Sequence, residues 1–415
     1  MSLPIRTLPI LEHWDCQQCG QCCRGSIVRL DDDDLARLRG QRWDEQPEFH
    51  GVQTVVSQGI LSKTHMLAKR PDGSCVFLTA EGRCRIHELH GEEAKPRICR
   101  LFPLQLVALD DVALLTMRRS CPSAAADVGR PVAKQRIEGK PYQLSDYTAG
   151  APPRILRGLR RSWQTARIVA AALERLATDR RYPMVRRWIH LLQFGRLLSE
   201  CRLRKLRAMD SRALGELVQV FEGAALEEAG DWFRERQPPS APMAVLFRQT
   251  AGEYLRLHPR SLIQATWRQR LGVAGAAVKL VHGQGALPNL IEGFPPVDFA
   301  DLERPLGALD PKTIAPLDGY FESLVASWRY ARLGYADWPM LEGIRSAALS
   351  YAVALWLWRW ASGREGIQPQ EIIPIIGCLD RGMGYVPLLS ARHRRRVATI
   401  AYDGSLQRLV AWYAR

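Results

Sequence analysis

The run Cys16-Gln-Gln-Cys19-Gly-Gln-Cys22-Cys23 places four thiols within one short segment, and no other feature restricts this chain's folding more. Cys75, Cys84, Cys99 and Cys121 complete a set of eight in the first 121 residues, while the rest of the chain holds only Cys201 and Cys378. Thiolates in this pattern suit a thiophilic metal or an iron–sulfur cluster. The two-residue spacer lets both sulfurs of a C-x2-C pair face one ion, and Gly20 stands where such a turn often needs a positive φ. All eight, from Cys16 to Cys121, are candidate ligands. They fill either two four-ligand sites or one site with spare thiols. Side chains of neighbouring residues diverge, so Cys22 and Cys23 serve different metals or only one of them ligates.

A disulfide framework is the competing reading of an even cysteine count, but it requires an oxidising compartment. The first ten residues contain two prolines and no apolar h-region, which predicts that the chain carries no secretory signal and is cytoplasmic. At 415 residues it needs no staples to bury a core.

Hydrophobic residues make up 47% and charged residues 24%, values of a soluble globular protein of two or three domains. The apolar stretch from Ala347 to Trp358 is too short to span a bilayer and runs into Arg359, so it reads as a buried core helix. The net charge of +15 is uneven: residues 1–150 hold 20 basic and 19 acidic side chains, whereas Arg154–Arg212 holds 16 basic against Glu174, Asp179, Glu200 and Asp210. Such a segment attracts nucleic acid, an anionic surface or an acidic protein. Without an aromatic-interleaved RNA motif or zinc-finger spacing, an acidic protein partner or protein substrate is expected ahead of nucleic acid. The plainer alternative is a solvated helix face.

The expected fold is mainly α: a small irregular cysteine-rich α+β module over 1–145, then an all-α domain over 151–415 with a proline-rich break near 286–316. Asp31–Asp34 before Leu35 reads as a capped helix start rather than a metal site. Cys75–Leu78 and Cys84–His87 flank Glu81-Gly82 as a hairpin would, and Leu106–Leu115 predicts a strand pair around Asp110-Asp111. Helical spacing is expected from Ile155, Leu156 and Leu159 onward, then over 184–207, 211–228, 241–256, 261–281, 317–333, 340–362 and 391–414. His87 is a candidate ligand or proton donor. Lys95, Arg97 and Arg100 could lower the pKa of Cys99 or offset cluster charge. Cys201 reads as ordinary and Cys378 as buried. There is no phosphate loop, no G-x-S-x-G elbow and no C-x3-C-x2-C loop, so no catalytic or cofactor-binding residue is identified.

The set Cys16-x2-Cys19-Gly-x-Cys22-Cys23, Gly73-x-Cys75-x-Phe77-Leu78, Cys84-x-Ile86-His87 and Pro96-x2-Cys99-Arg100-x-Phe102-Pro103 resembles the bacterial cysteine-cluster family of zinc- or iron-chelating domains. The stretch from Cys84 through Gly91-Glu92 and Cys99 to Pro103 also resembles flagellin lysine-N-methylases. That second resemblance implies an iron–sulfur cluster (4Fe-4S) with S-adenosylmethionine as methyl donor, acting as a protein lysine methyltransferase. This chain departs from it at the start, where its first knot is more compact.

Overall fold

The computed structural model describes residues 3–25, 27–59, 64–134, 150–234, 237–262, 267–305, 307, 309–336, 338–383 and 388–415. The fold is mainly helical, with a small strand-containing N-terminal region followed by a helical C-terminal region. Short elements dominate the first part: β1 (Ile5–Thr7), β2 (His13–Trp14), α1 (Gln21–Gly25), β3 (Arg29–Leu30), α2 (Asp32–Gly40), β4 (Val55–Gln58), β5 (Thr64–Leu67), α3 (Arg85–His90), α4 (Arg97–Leu101), β6 (Leu104–Leu109), β7 (Val112–Met117), α5 (Pro122–Ala125) and β8 (Arg130–Pro131). They form two three-stranded sheets, ordered β3-β5-β4 and β1-β7-β6, and the pair β2-β8. The β6–β7 hairpin turns at Asp110-Asp111, as its apolar flanks predict. Asp31 caps α2, its Oδ1 accepting from Asp34 N at 2.8 Å.

Two small apolar cores organise this region. One gathers Val28, Leu30, Leu35, Leu38, Trp43, Phe49, Leu67 and Phe77 around Cys75. Trp43 sits between Phe49 and Phe77, with ring centroids 4.9 and 4.7 Å away. The other gathers Leu104, Leu106, Ala113, Leu115 and Met117 around Cys121. The opposite face of the hairpin, Val107, Leu109 and Val112, joins the core of the helical part. Period-two alternation thus lets one hairpin serve two cores.

The expected helix at 155–159 is instead a tight hairpin, β9 (Arg154–Leu156) and β10 (Leu159–Arg160). Gly158 takes φ +75° there, and a helix cannot form through such a residue. Helices follow: α6 (Trp163–Thr178), α7 (Met184–Glu200), α8 (Leu203–Ala208), α9 (Ser211–Glu228), α10 (Asp231–Arg234), α11 (Ala241–Leu255), α12 (Trp267–His282), α13 (Phe299–Leu302), α14 (Pro311–Ala326), α15 (Met340–Ser362), α16 (Ile372–Gly382), α17 (Ala391–Ile400) and α18 (Ser405–Tyr413). The predicted single helix over 391–414 is broken by Asp403 and Gly404, both at positive φ. Pro311 opens α14 at a position where its missing N–H costs nothing.

The axis of the helical part is α15, which is buried on almost every side; Trp356, Trp358 and Trp360 are 0, 0 and 2% exposed. A Cβ at Gly343 would collide with the Tyr330 carbonyl, so only glycine lets α15 lie this close to that turn. Part of the basic segment is paired, mostly with acids outside it: Arg175 with Glu222, and Arg180 and Arg187 with Glu322, while Arg181 pairs with Asp179. Arg161 donates to the carbonyls of Leu206, Arg207 and Met209. Arg202, Arg204 and Lys205 remain exposed.

His190 on α7 is wholly buried, edge-on to Tyr182, and neither ring nitrogen has a hydrogen-bond partner among the described residues. Burial, with Arg186 nearby, pushes its pKa down to about 4. In the unfolded chain the ring takes a proton near pH ~6.5. The neutral buried ring therefore contributes stability that is complete above that pH and is lost as pH falls toward 4. His190→Leu is expected to gain on the wild type in denaturant midpoint between pH 7 and pH 4.5. A difference between the two that does not change with pH would show that the histidine is not held neutral.

Candidate metal centre

The knot begins with a turn at Gly20, φ +67°, from which the Gly20 carbonyl accepts Cys23 N at 3.0 Å and starts α1. A Cβ at Gly20 would come within 2.9 Å of the Gly82 carbonyl, so glycine allows the knot to seat on the 79–84 turn. Cys75 N donates to the Cys23 carbonyl at 2.7 Å, joining the second half of the knot to the loop of Cys75. Leu78 and Cys84 form an isolated antiparallel bridge, which replaces the expected hairpin strands. Cys84 then caps α3. Cys99 lies within α4, whose Arg97 N donates to Asp34 Oδ1 at 2.8 Å. Asp34, only 2% exposed, thus fixes the helix that carries Cys99. Sequence reasoning reads Asp34 merely as a helix-start acid; its inward position is what gives it this second partner.

Cys75 is buried in the first small core, with Cys23, Cys84 and Cys99 packed against that core. Cys22 Sγ lies 3.9 Å from Cys23 Sγ. The Cys23 thiol, as donor, stabilises a Cys22 thiolate and brings its pKa down to about 7. Cys23 is pushed up by that same hydrogen bond, by burial, and by the negative charge that Cys22, Cys75 and Cys84 would carry. Burial first, and neighbouring thiolates second, push Cys99 up, against the partial opposition of Lys95. Burial also raises Cys75, with Lys69 and Arg70 opposing. Near Cys99, Arg97 pairs with Asp31 and Arg100 with Glu93, while the charge of Lys95 acts on Cys99 and Cys22. His87 is exposed.

Cys121 belongs elsewhere. It is 9% exposed, sits in the second small core and caps α5, where its carbonyl accepts Ala125 N at 2.8 Å. Burial raises its pKa, opposed first by the Ala124 N–H and then by the Trp14 indole and the Ser123 N–H; Cys19 is the nearby thiol that adds to the rise. Cys16 and Cys19 are exposed. Cys16 follows Asp15, whose carbonyl accepts Ser123 Oγ at 2.5 Å and whose carboxylate holds Arg130. Cys378 is buried, as expected, and Cys201 lies just past the end of α7.

Residues 15–122 match the model of the CxxCxxCC family, a proposed zinc- or iron-chelating domain. The match is confined to the N-terminal module. No curated protein and no solved structure matches the chain, so the likeness to flagellin lysine-N-methylases rests on the motif alone. Among the described residues no three His, Cys, Asp or Glu side chains stand close enough to hold an ion as they are. The thiol donor set of this module nevertheless fits a soft cation. Its crowded thiols oppose one another's ionisation, and a bound cation reverses that penalty, because ligation requires deprotonated sulfur. Two surface grooves, one lined by Gln193, Arg196 and Trp232 and the other by Met243, Thr399 and Tyr402, have no cysteine in their lining.

Proposed function

We propose that the CxxCxxCC domain holds iron as a [4Fe-4S] cluster, in a cytoplasmic protein. The observation that carries this reading is the meeting of Cys23, Cys75, Cys84 and Cys99 on one small core from four separate chain segments. An all-sulfur donor set excludes hard cations and suits iron–sulfur clusters or zinc. A cluster so held would supply electron transfer or a structural clamp. The chain's own part is to bring the sulfurs together, offset their charge with Lys69, Arg70 and Lys95, and limit solvent on the Cys75 side. Among the described residues nothing favours methyl transfer over metal holding, and only the latter is advanced.

Protein purified without oxygen is expected to be brown, to absorb broadly near 400 nm and to contain iron and acid-labile sulfide in equal amounts. Colourless protein with stoichiometric zinc would keep the metal centre and sink the cluster. Protein free of both metals after reconstitution would remove the reading altogether.

A further inference from the structure

We propose that the eight N-terminal thiols serve two separate centres, one built from Cys22, Cys23, Cys75, Cys84 and Cys99 and the other from Cys16, Cys19 and Cys121. This deepens the metal-holding reading and rests on it. Their buried members belong to different apolar cores: Cys75, with Cys23, Cys84 and Cys99 packed against it, in one, and Cys121, with Trp14 and Phe102, in the other; Cys16, Cys19 and Cys22 are exposed. Gly20 is the pivot between them. Its backbone is pressed on the Gly82 carbonyl and Leu78, so the chain turns there, with Cys19 before the turn and Cys22 after it.

Each half of the knot is then tied to a different partner. Beyond the pivot, Cys23 is bound through its carbonyl to Cys75 N and to Lys69 Nζ at 3.3 Å. Before it, β2 pairs with β8, matching His13 with Pro131 and Trp14 with Arg130. Asp15 N donates to Val128 O at 3.2 Å, and Ser123, two residues after Cys121, donates to the Asp15 carbonyl. Cys16 therefore leaves a segment clamped to the loop that follows Cys121. We therefore assign the C-x2-C pair that leaves this clamp to Cys121 rather than to Cys75. Adjacent Cys22 and Cys23 remain together on the other side, 3.9 Å apart.

The second centre stands at the seam with the helical part. Arg119 donates to Glu12 at 3.0 Å, Glu12 accepts from Ser323 at 2.7 Å, and Ser120 N donates to Asp380 at 3.1 Å. The residues just before Cys121 are thus fastened to the helical part, and α5 packs against α14 and α16.

Metal analysis of full-length protein prepared without oxygen tests the division. Cys121→Ser, and separately Cys16→Ser with Cys19→Ser, are expected to lose the metal of one centre, and Cys75→Ser with Cys84→Ser the metal of the other. Metal-free wild type titrated with Co2+ alone is expected to take up two equivalents, read by the sulfur-to-cobalt charge-transfer band, and Cys121→Ser one. Uptake of one equivalent by wild type, or complete loss of metal in every variant that keeps wild-type helical circular dichroism, would overturn the division and leave the metal reading intact. A wild type that binds neither its native metal nor Co2+ would overturn both.

Discussion

Asp380→Ala is expected to cost about 3–5 kcal/mol of stability, the range for stripping one partner from a buried ion pair. Asp380 on α16 is wholly buried and pairs with Arg329, itself 3% exposed; Arg118 Nε lies 3.7 Å from the same carboxylate. Burial alone would raise this carboxyl, but the guanidiniums of Arg329 and Arg118 and the Ser120 N–H hold it below the usual carboxylate range. Alanine leaves the Arg329 cation in the interior without its partner. Asp380→Leu combined with Arg329→Met should recover most of the loss, because two apolar side chains dispense with the desolvation that the pair must overcome. Guanidinium unfolding of metal-loaded protein, followed by far-ultraviolet circular dichroism, measures both. A cost below about 1 kcal/mol for Asp380→Ala would place the pair among screened surface contacts.

Removing metal is expected to unfold the cysteine-rich module up to about residue 101 and to leave the rest standing. The module's core is small and its elements are short, so much of its order depends on metal-binding energy, which for structural zinc is about 10–16 kcal/mol. The hairpin of Leu104–Met117 differs. Val107, Leu109 and Val112 are inserted in the helical core, and Thr116 bonds Ser323 at 3.1 Å. Chelation without oxygen followed by limited proteolysis should therefore cut between residues 16 and 101 and yield protected fragments that begin near Leu104 or later. Protection of the 16–101 stretch equal to that of the helices would show a module that folds without metal.

Much of this could be read in the residues because it is local. The cap at Asp31, the hairpin at Asp110-Asp111 and the buried helix around Trp356 each depend on neighbours within a few positions. Helix spacing misleads at Ile155, Leu156 and Leu159, where a glycine at positive φ turns the same apolar residues into a hairpin. It misleads again at 391–414, where the pattern continues across Asp403-Gly404 although the backbone does not. The excess of arginine over Arg154–Arg212 was visible, but not that Glu222 and Glu322 lie opposite Arg175, Arg180 and Arg187.

The spacing of the thiols by itself determined the chemistry open to the module, because sulfur's preference for soft metals does not depend on the fold. Which thiols share a core was decided by tertiary structure. Cys23 meets Cys75 through a bond between distant backbone groups, Cys99 is placed by an acid 63 positions before Arg97, and Cys121 is held in another core against the helices. Such partners follow from long-range packing, and a spacing rule carries information only along the chain.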